Sequence, residues 1–163
     1  MLISTRFHYF LGLVIICLLL GFSFYLQAHG MVPCALCLLQ RIVLAILGFI
    51  FLIGALSKFK CIGQSILAIV TLIIAAIGVF LSGRQAWLQH FPSHQTGECA
   101  ASLQYMMQAL PLNEVLVKVL QGSAECADRV WSLLGLSLAE WSLACFVVIF
   151  LFGFYQLYRA FKI

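Results

Sequence analysis

The sequence predicts an all-α fold, a polytopic membrane four-helix bundle with one long loop that carries a short amphipathic helix. Three observations lead there. Four apolar runs, residues 7–26, 35–56, 62–81 and 141–158, each come close to the ~20 residues that cross a bilayer. Of 163 residues, 9% are charged, and the mean hydropathy is +1.13; soluble domains carry about 25% charged residues. The basic residues gather at the ends of the runs. Backbone polar groups cannot be left open in hydrocarbon, so runs of this length are helices. One membrane domain, residues 1–163, accounts for the chain. The net charge of +4 is too small and too dispersed for a nucleic-acid partner; it belongs to the span ends.

The first run follows Arg6 and could be read as a secretion signal. It is longer than a usual h-region of ~7–15 residues, and Leu26-Gln27-Ala28-His29-Gly30 is a poor small-residue cleavage site. It is therefore expected to remain as a span. The second run opens at Pro33-Cys34-Ala35-Leu36-Cys37-Leu38-Leu39-Gln40-Arg41. The third follows a short turn holding Lys58, Lys60 and Cys61, and the fourth precedes Arg159 and Lys162.

Orientation follows from these cations. Arg6, Lys58, Lys60, Arg159 and Lys162 lie on segments that share one side of a four-span chain, which places both termini in the cytoplasm. The first connection, residues 27–33, has no Lys or Arg. The third, about 84–140, holds Glu98, Glu114, Glu125, Asp128 and Glu140 alongside Arg84, Lys118 and Arg129. Trp87 and Trp141 suit the outer interface, and Tyr9, Tyr155 and Tyr158 the inner one.

Within the third connection, residues 91–97 have loop composition. Pro111 then opens a stretch in which Leu112, Val115, Leu116, Val119 and Leu120 recur at helical spacing, with Glu114 and Lys118 on the other side. Such a helix beside a bilayer is expected to lie on it, with packing onto the bundle top as the alternative.

The cysteines carry the chemistry. There are seven. Cys17 and Cys145 fall inside apolar runs and read as small core residues. Cys61 falls on the reducing, cytoplasmic side. Span parity brings Cys34, Cys37, Cys99 and Cys126 to the other, oxidising side. Cys34-x-x-Cys37 at a helix start is a redox or metal device. Pro33 fits the first helical position, and unpaired N–H groups with the helix dipole favour a thiolate in that turn.

Arg41, four residues beyond Cys37, shares its face. An arginine near the membrane interior is costly and functional by default; the alternative is snorkelling to the headgroups. The functional reading is a cation holding an electron-rich ligand beside Cys37, and in a bilayer the natural two-electron acceptor is a lipid-soluble quinone. His8, His29, His90 and His94 show no ligand spacing and read as surface residues, Pro92 separating the last two.

Two cysteine pairs on one oxidising side admit three readings: a disulfide relay, a four-cysteine zinc site with a loose second half, or two structural bridges. So short a loop as 34–37 makes a poor structural bridge. A membrane scaffold with structural disulfides is the principal non-enzyme alternative.

Taken jointly, four spans, Pro-Cys-x-x-Cys-x-x-x-Arg at the second, Cys99 and Cys126 in the long loop, and the stretches at residues 83–89 and 131–136 resemble the DsbB family of Gram-negative bacteria. The resemblance covers nearly the whole chain. It implies an inner-membrane, quinone-dependent protein-disulfide oxidoreductase. Such a protein reoxidises a DsbA-like periplasmic thiol oxidase and passes the electrons to ubiquinone or menaquinone. By position, Cys34 and Cys37 match the quinone-coupled pair, Cys99 and Cys126 the substrate-facing pair, and Arg41 the quinone-site arginine. The implied order is attack at Cys99, then Cys126 on Cys34, with Cys37 toward the quinone. Cys34 is expected to be open at the helix mouth and Cys37 to lie deeper. A paralogue serving a dedicated partner fits the same pattern.

Gln85 stands where a quinone-assisting histidine is expected, and is assigned to the cofactor site with Arg41. Gln40 stands where some relatives carry an acid. Both are expected to bear on quinone affinity or type and to leave the sulfurs alone.

The topology has a direct test. A membrane-impermeant thiol reagent applied to reduced spheroplasts is expected to label Cys99 or Cys126 and spare Cys61; labelling of Cys61 alone would invert the topology.

Overall fold

A computed structural model of the chain describes residues 2–30, 34–57, 61–91, 111, 113–115, 117, 132–133 and 135–162. Cys99, Cys126, Pro33, Lys58, Lys60, Leu112, Leu116, Lys118, Val119 and Leu120 lie outside the described residues, as does the side chain of Cys61. Four long helices carry the fold: α1 (Leu2–Ala28), α2 (Ala35–Leu56), α3 (Cys61–His90) and α4 (Leu138–Phe161). Their apolar stretches Arg6–Ala28, Ala35–Leu56, Ile62–His90 and Leu138–Phe161 are long and apolar enough to cross a membrane.

The helix ends have local causes. Helix α1 stops where Gly30 takes φ 90°, a left-handed conformation that favours glycine, with Gly30 N–H donating to the Gln27 carbonyl at 3.1 Å. Helix α2 starts at Ala35, with Cys34 as its N-cap. The first helical position is therefore Ala35, two residues later than expected. The Cys34 sulfur itself accepts the Cys37 N–H at 3.4 Å, satisfying one of the unpaired donors of the first turn.

Helix α3 runs past Leu81 to His90, because residues 82–90 contain no proline and include good helix formers. At 1.5 Å per residue its 30 residues extend ~45 Å, more than the ~30 Å hydrocarbon core. Helix α4 starts at Leu138, before the apolar run at 141, because Ser137 and Glu140 form a reciprocal capping box. The Ser137 N–H donates to Glu140 Oε2 at 2.6 Å and the Glu140 N–H to Ser137 Oγ at 3.3 Å. A two-residue hairpin leads into it, β1 (Ser132–Leu133) pairing antiparallel with β2 (Leu136–Ser137) through Gly135 at φ 82°.

Contacts set an up-down-up-down order. Arg6 near the start of α1 donates to the carbonyls of Ala55 and Leu56 at the end of α2, at 3.0 and 3.1 Å. Arg41 near the start of α2 reaches back to the end of α1. Gln40 meets Gln85 between α2 and α3, and His90 meets Glu140 between α3 and α4. Tyr9, Phe51 and Phe152 form an aromatic centre that joins α1, α2 and α4, with ring centroids 5.3 to 5.6 Å apart.

Lipid is as apolar as these side chains, so close packing and interhelical hydrogen bonds, not burial from water, hold the helices together. Gly78 of α3 and Gly12 of α1 are where that packing is tightest. A Cβ at Gly78 would collide with the Phe146 ring and one at Gly12 with the Phe51 ring.

Two sequence expectations change. Cys17 lies exposed on α1 and Cys145 is half-buried. Ile16 takes the inward position at 1% exposure, and the next residue is turned ~100° away. Val115, expected on a helix lying on the bilayer, is buried within the core cluster of the bundle. Residues 113–115 are helical, and this valine is seated on protein.

Gly78→Leu is expected to cost about 1–3 kcal/mol through overpacking, read as a lower thermal midpoint in detergent. Adding Phe146→Ala to the same chain should recover part of the loss, because it removes the ring the new side chain strikes.

Candidate active site

The N-terminal turn of α2 brings both sulfurs of the Cys-x-x-Cys together. Cys34 and Cys37 are thiols here, the Cys34 S–H donating to Cys37 Sγ across 2.9 Å, against ~2.05 Å in a disulfide. A small closure joins them. Cys34 as N-cap and Cys37 at the third helical position share the end of the helix at which the dipole favours negative charge. The expected difference in openness is reversed: Cys34 is buried at 6% exposure, and Cys37 is partly exposed. The capping turn directs the Cys34 sulfur inward, toward α3, where Gln85 Nε2 lies 3.6 Å away.

Gln85 does touch the sulfurs, contrary to expectation. Its Nε2 donates to Cys37 Sγ at 3.1 Å as well as reaching Cys34 Sγ. Its Oε1 accepts from Gln40 Nε2 at 2.7 Å. Gln40 Oε1 in turn accepts from the Ser142 hydroxyl of α4 at 2.9 Å. Both amides are buried, Gln85 at 4% and Gln40 at 8% exposure. A buried amide left unpaired costs about 1–3 kcal/mol, so each is held by the next. The result is one hydrogen-bonded line from α4 through α2 and α3 to the sulfurs.

Arg41 sits one turn below Cys37 but turns its guanidinium to α1. Nη2 donates to the Ser23 carbonyl at 3.1 Å, Nη1 donates to Gln27 Oε1, and the guanidinium carbon stands 5.4 Å from the Phe24 ring centroid. These Arg41 contacts all lie on α1, and none of them is to Cys37. Its Nε is buried without a hydrogen-bond partner among the described residues. A buried cationic N–H of that kind suits a carbonyl oxygen of a lipid-soluble ligand such as a quinone.

Sequence reading missed Ser142, the contact of Gln85 with the sulfurs and the bond by which Gln40 holds Gln85. The available signal was their polarity: an amide or hydroxyl at the end of an apolar run must find a partner. It also passed over the pair of His90 with Glu140, Nε2 to Oε1 at 3.5 Å, since no local pattern links residues so far apart in the chain. Cys99 and Cys126 lie outside the described residues.

Comparison of the sequence with known proteins matches it to a family. The family model described as Disulfide bond formation protein DsbB matches residues 5–156. A protein of Hahella chejuensis named Disulfide bond formation protein B is 40% identical over 146 residues, covering 89% of this chain and 88% of its own. One of Nitrosococcus oceani with the same name is 35% identical over 160 residues, covering 98% and 95%. Disulfide bond formation protein B 1 of Pseudomonas aeruginosa is 38% identical over 159 residues, covering 97% and 98%.

Proposed function

The chain belongs to the DsbB family of membrane disulfide bond formation proteins, and from that premise we propose that it reoxidises a DsbA-like periplasmic dithiol oxidase and delivers the electrons to a membrane quinone. The observation that carries this reading is the pair of sulfurs 2.9 Å apart, at a helix N-terminus near one end of a four-span bundle.

In this reading the thiolate of a reduced partner attacks the Cys99–Cys126 disulfide at Cys99, releasing Cys126 as a thiolate. Cys126 then attacks Cys34, opening the Cys34–Cys37 disulfide and leaving negative charge on Cys37. The partner's second thiolate then displaces Cys99 from the first mixed disulfide, and Cys99 displaces Cys34 from Cys126; each exchange conserves one disulfide, and two electrons have moved inward once both mixed disulfides are resolved. The helix dipole and the Gln85 amide favour the thiolate that each inward transfer leaves at α2. Stabilising the reduced pair raises its potential, which suits it to oxidise a strong oxidant.

A bound quinone supplies the two-electron acceptor. Arg41 Nε is the donor proposed to orient it, with Ser23 and Gln27 fixing the rest of the guanidinium. Gln85, assigned at first to the cofactor, is proposed to act on the sulfurs. In this reading the chain lies in the bacterial inner membrane, as the family implies, and the distribution of Lys and Arg supports cytoplasmic termini.

The test is anaerobic. Reduced DsbA-like protein and a quinone are expected to react when this protein is added and not when Cys34→Ser replaces it; absence of turnover with either ubiquinone or menaquinone rejects the assignment. Arg41→Met should raise the quinone KM while thiol exchange with the partner survives. Arg41→Lys should recover only part, because lysine lacks the planar fork. An unchanged KM removes Arg41 from the quinone site. In Cys126→Ser, the partner is expected to be trapped on Cys99 as a mixed disulfide visible on a non-reducing gel. Trapping through Cys126 in Cys99→Ser instead would reverse the order of the loop pair.

A further inference from the structure

We propose that Ser142, Gln40 and Gln85 form a polarity relay that sets the redox potential of the Cys34/Cys37 pair from the neighbouring helix α4. The inference rests on the assignment of that pair as redox-active and goes on to name what tunes it. Three donations point the same way: Ser142 hydroxyl to Gln40 Oε1 at 2.9 Å, Gln40 Nε2 to Gln85 Oε1 at 2.7 Å, and Gln85 Nε2 to Cys37 Sγ at 3.1 Å and Cys34 Sγ at 3.6 Å. Each link decides the next. Gln40 must turn its amide nitrogen to Gln85 because its oxygen is taken by Ser142. Gln85 must turn its nitrogen to the sulfurs because its oxygen is taken by Gln40. Both hydrogens of the Gln85 amide are thereby aimed at the sulfur pair, where they stabilise a thiolate and do nothing comparable for a disulfide.

The relay can also run backwards. The Ser142 hydroxyl has one hydrogen, and its oxygen also lies 2.8 Å from the Ala139 carbonyl. With that hydrogen given to Ala139, the hydroxyl oxygen would accept from Gln40, Gln40 would accept from Gln85, and Gln85 would face the sulfurs with its oxygen. That arrangement repels a thiolate and accepts from an S–H. The direction of one serine hydrogen on α4 is thus coupled to the charge at the start of α2. Ser142, Gln40 and Gln85 act here as positioning residues, and the reacting atoms remain the sulfurs.

The experiment equilibrates the full-length protein in detergent with glutathione buffers at a fixed pH. After an acid quench and alkylation, the peptide containing Cys34 and Cys37 is read by mass. In this exchange two glutathione thiols become one glutathione disulfide as the Cys34–Cys37 bond opens. Gln85→Met removes the donor, so the reduced pair loses stabilisation and the equilibrium constant for its oxidation should rise about tenfold or more. Ser142→Ala, a small change that keeps the test open if the methionine variant does not accumulate, should raise it about threefold. Ser142→Thr retains the hydroxyl and should return it to the unmodified value.

A purely packing role would not separate alanine from threonine in this way. If Ser142→Ala matches the unmodified protein, or if threonine shifts the equilibrium as far as alanine, the relay is overturned. The same follows if Gln85→Met has no effect, and in each of these cases the redox assignment stands. If Cys34 and Cys37 of the unmodified protein form no disulfide at any glutathione ratio, the assignment itself fails and the relay with it.

Discussion

The hydrogen bond between Gln40 and Gln85, 2.7 Å long and buried between α2 and α3, is the contact from which the cysteine end of the bundle takes its form. In water two glutamines would have little reason to meet. In an apolar bundle each amide must be paired, and the partners near enough among the described residues are each other, the Ser142 hydroxyl and the two sulfurs. That requirement fixes the register of α2 against α3 at the turn that carries Cys34 and Cys37. Interhelical hydrogen bonds in membranes contribute only about 0.6–2 kcal/mol each, so the energetic weight of the pair is modest. Its consequence is specificity: sliding either helix by a turn would strand two buried amides.

The α1–α2 interface is governed by the same need, met with charge. Arg6 of α1 closes the carbonyls at the end of α2, and Arg41 of α2 grips the end of α1. Each cation thus sits where its neighbour's helix dipole is negative. The two helices are clamped reciprocally at opposite ends of the antiparallel pair. Between the clamps, Tyr9, Phe51 and Phe152 interlock edge to face or tilted, and Gly12 admits the Phe51 ring. On the other side of the bundle Gly78 admits Phe146, and His90 with Glu140 ties the tops of α3 and α4. Glu140 serves twice, since the carboxylate that meets His90 also completes the capping box that starts α4.

This arrangement gives the sulfurs an environment different from that of a loop disulfide. They sit at a helix N-terminus with a side-chain amide aimed at them, and Cys34 is sheltered rather than open.

Read from the residues alone, the chain declares four helices, their alternating order and the end at which Cys34 and Cys37 lie. Apolar length, cation placement and the Cys-x-x-Cys spacing are properties of consecutive residues, and a bilayer converts them directly into spans. The ends of the helices were less legible. The start of α4 depends on a serine and a glutamate outside the apolar run, and the start of α2 on a cysteine acting as its own cap. What only the tertiary structure decided is which way each polar side chain faces. A helix that is apolar nearly all round has no face that its own sequence must bury, so its rotation is settled by neighbours. That is why Arg41 turns to α1, Cys17 to the outside, and Gln85 to the sulfurs it was expected to leave alone.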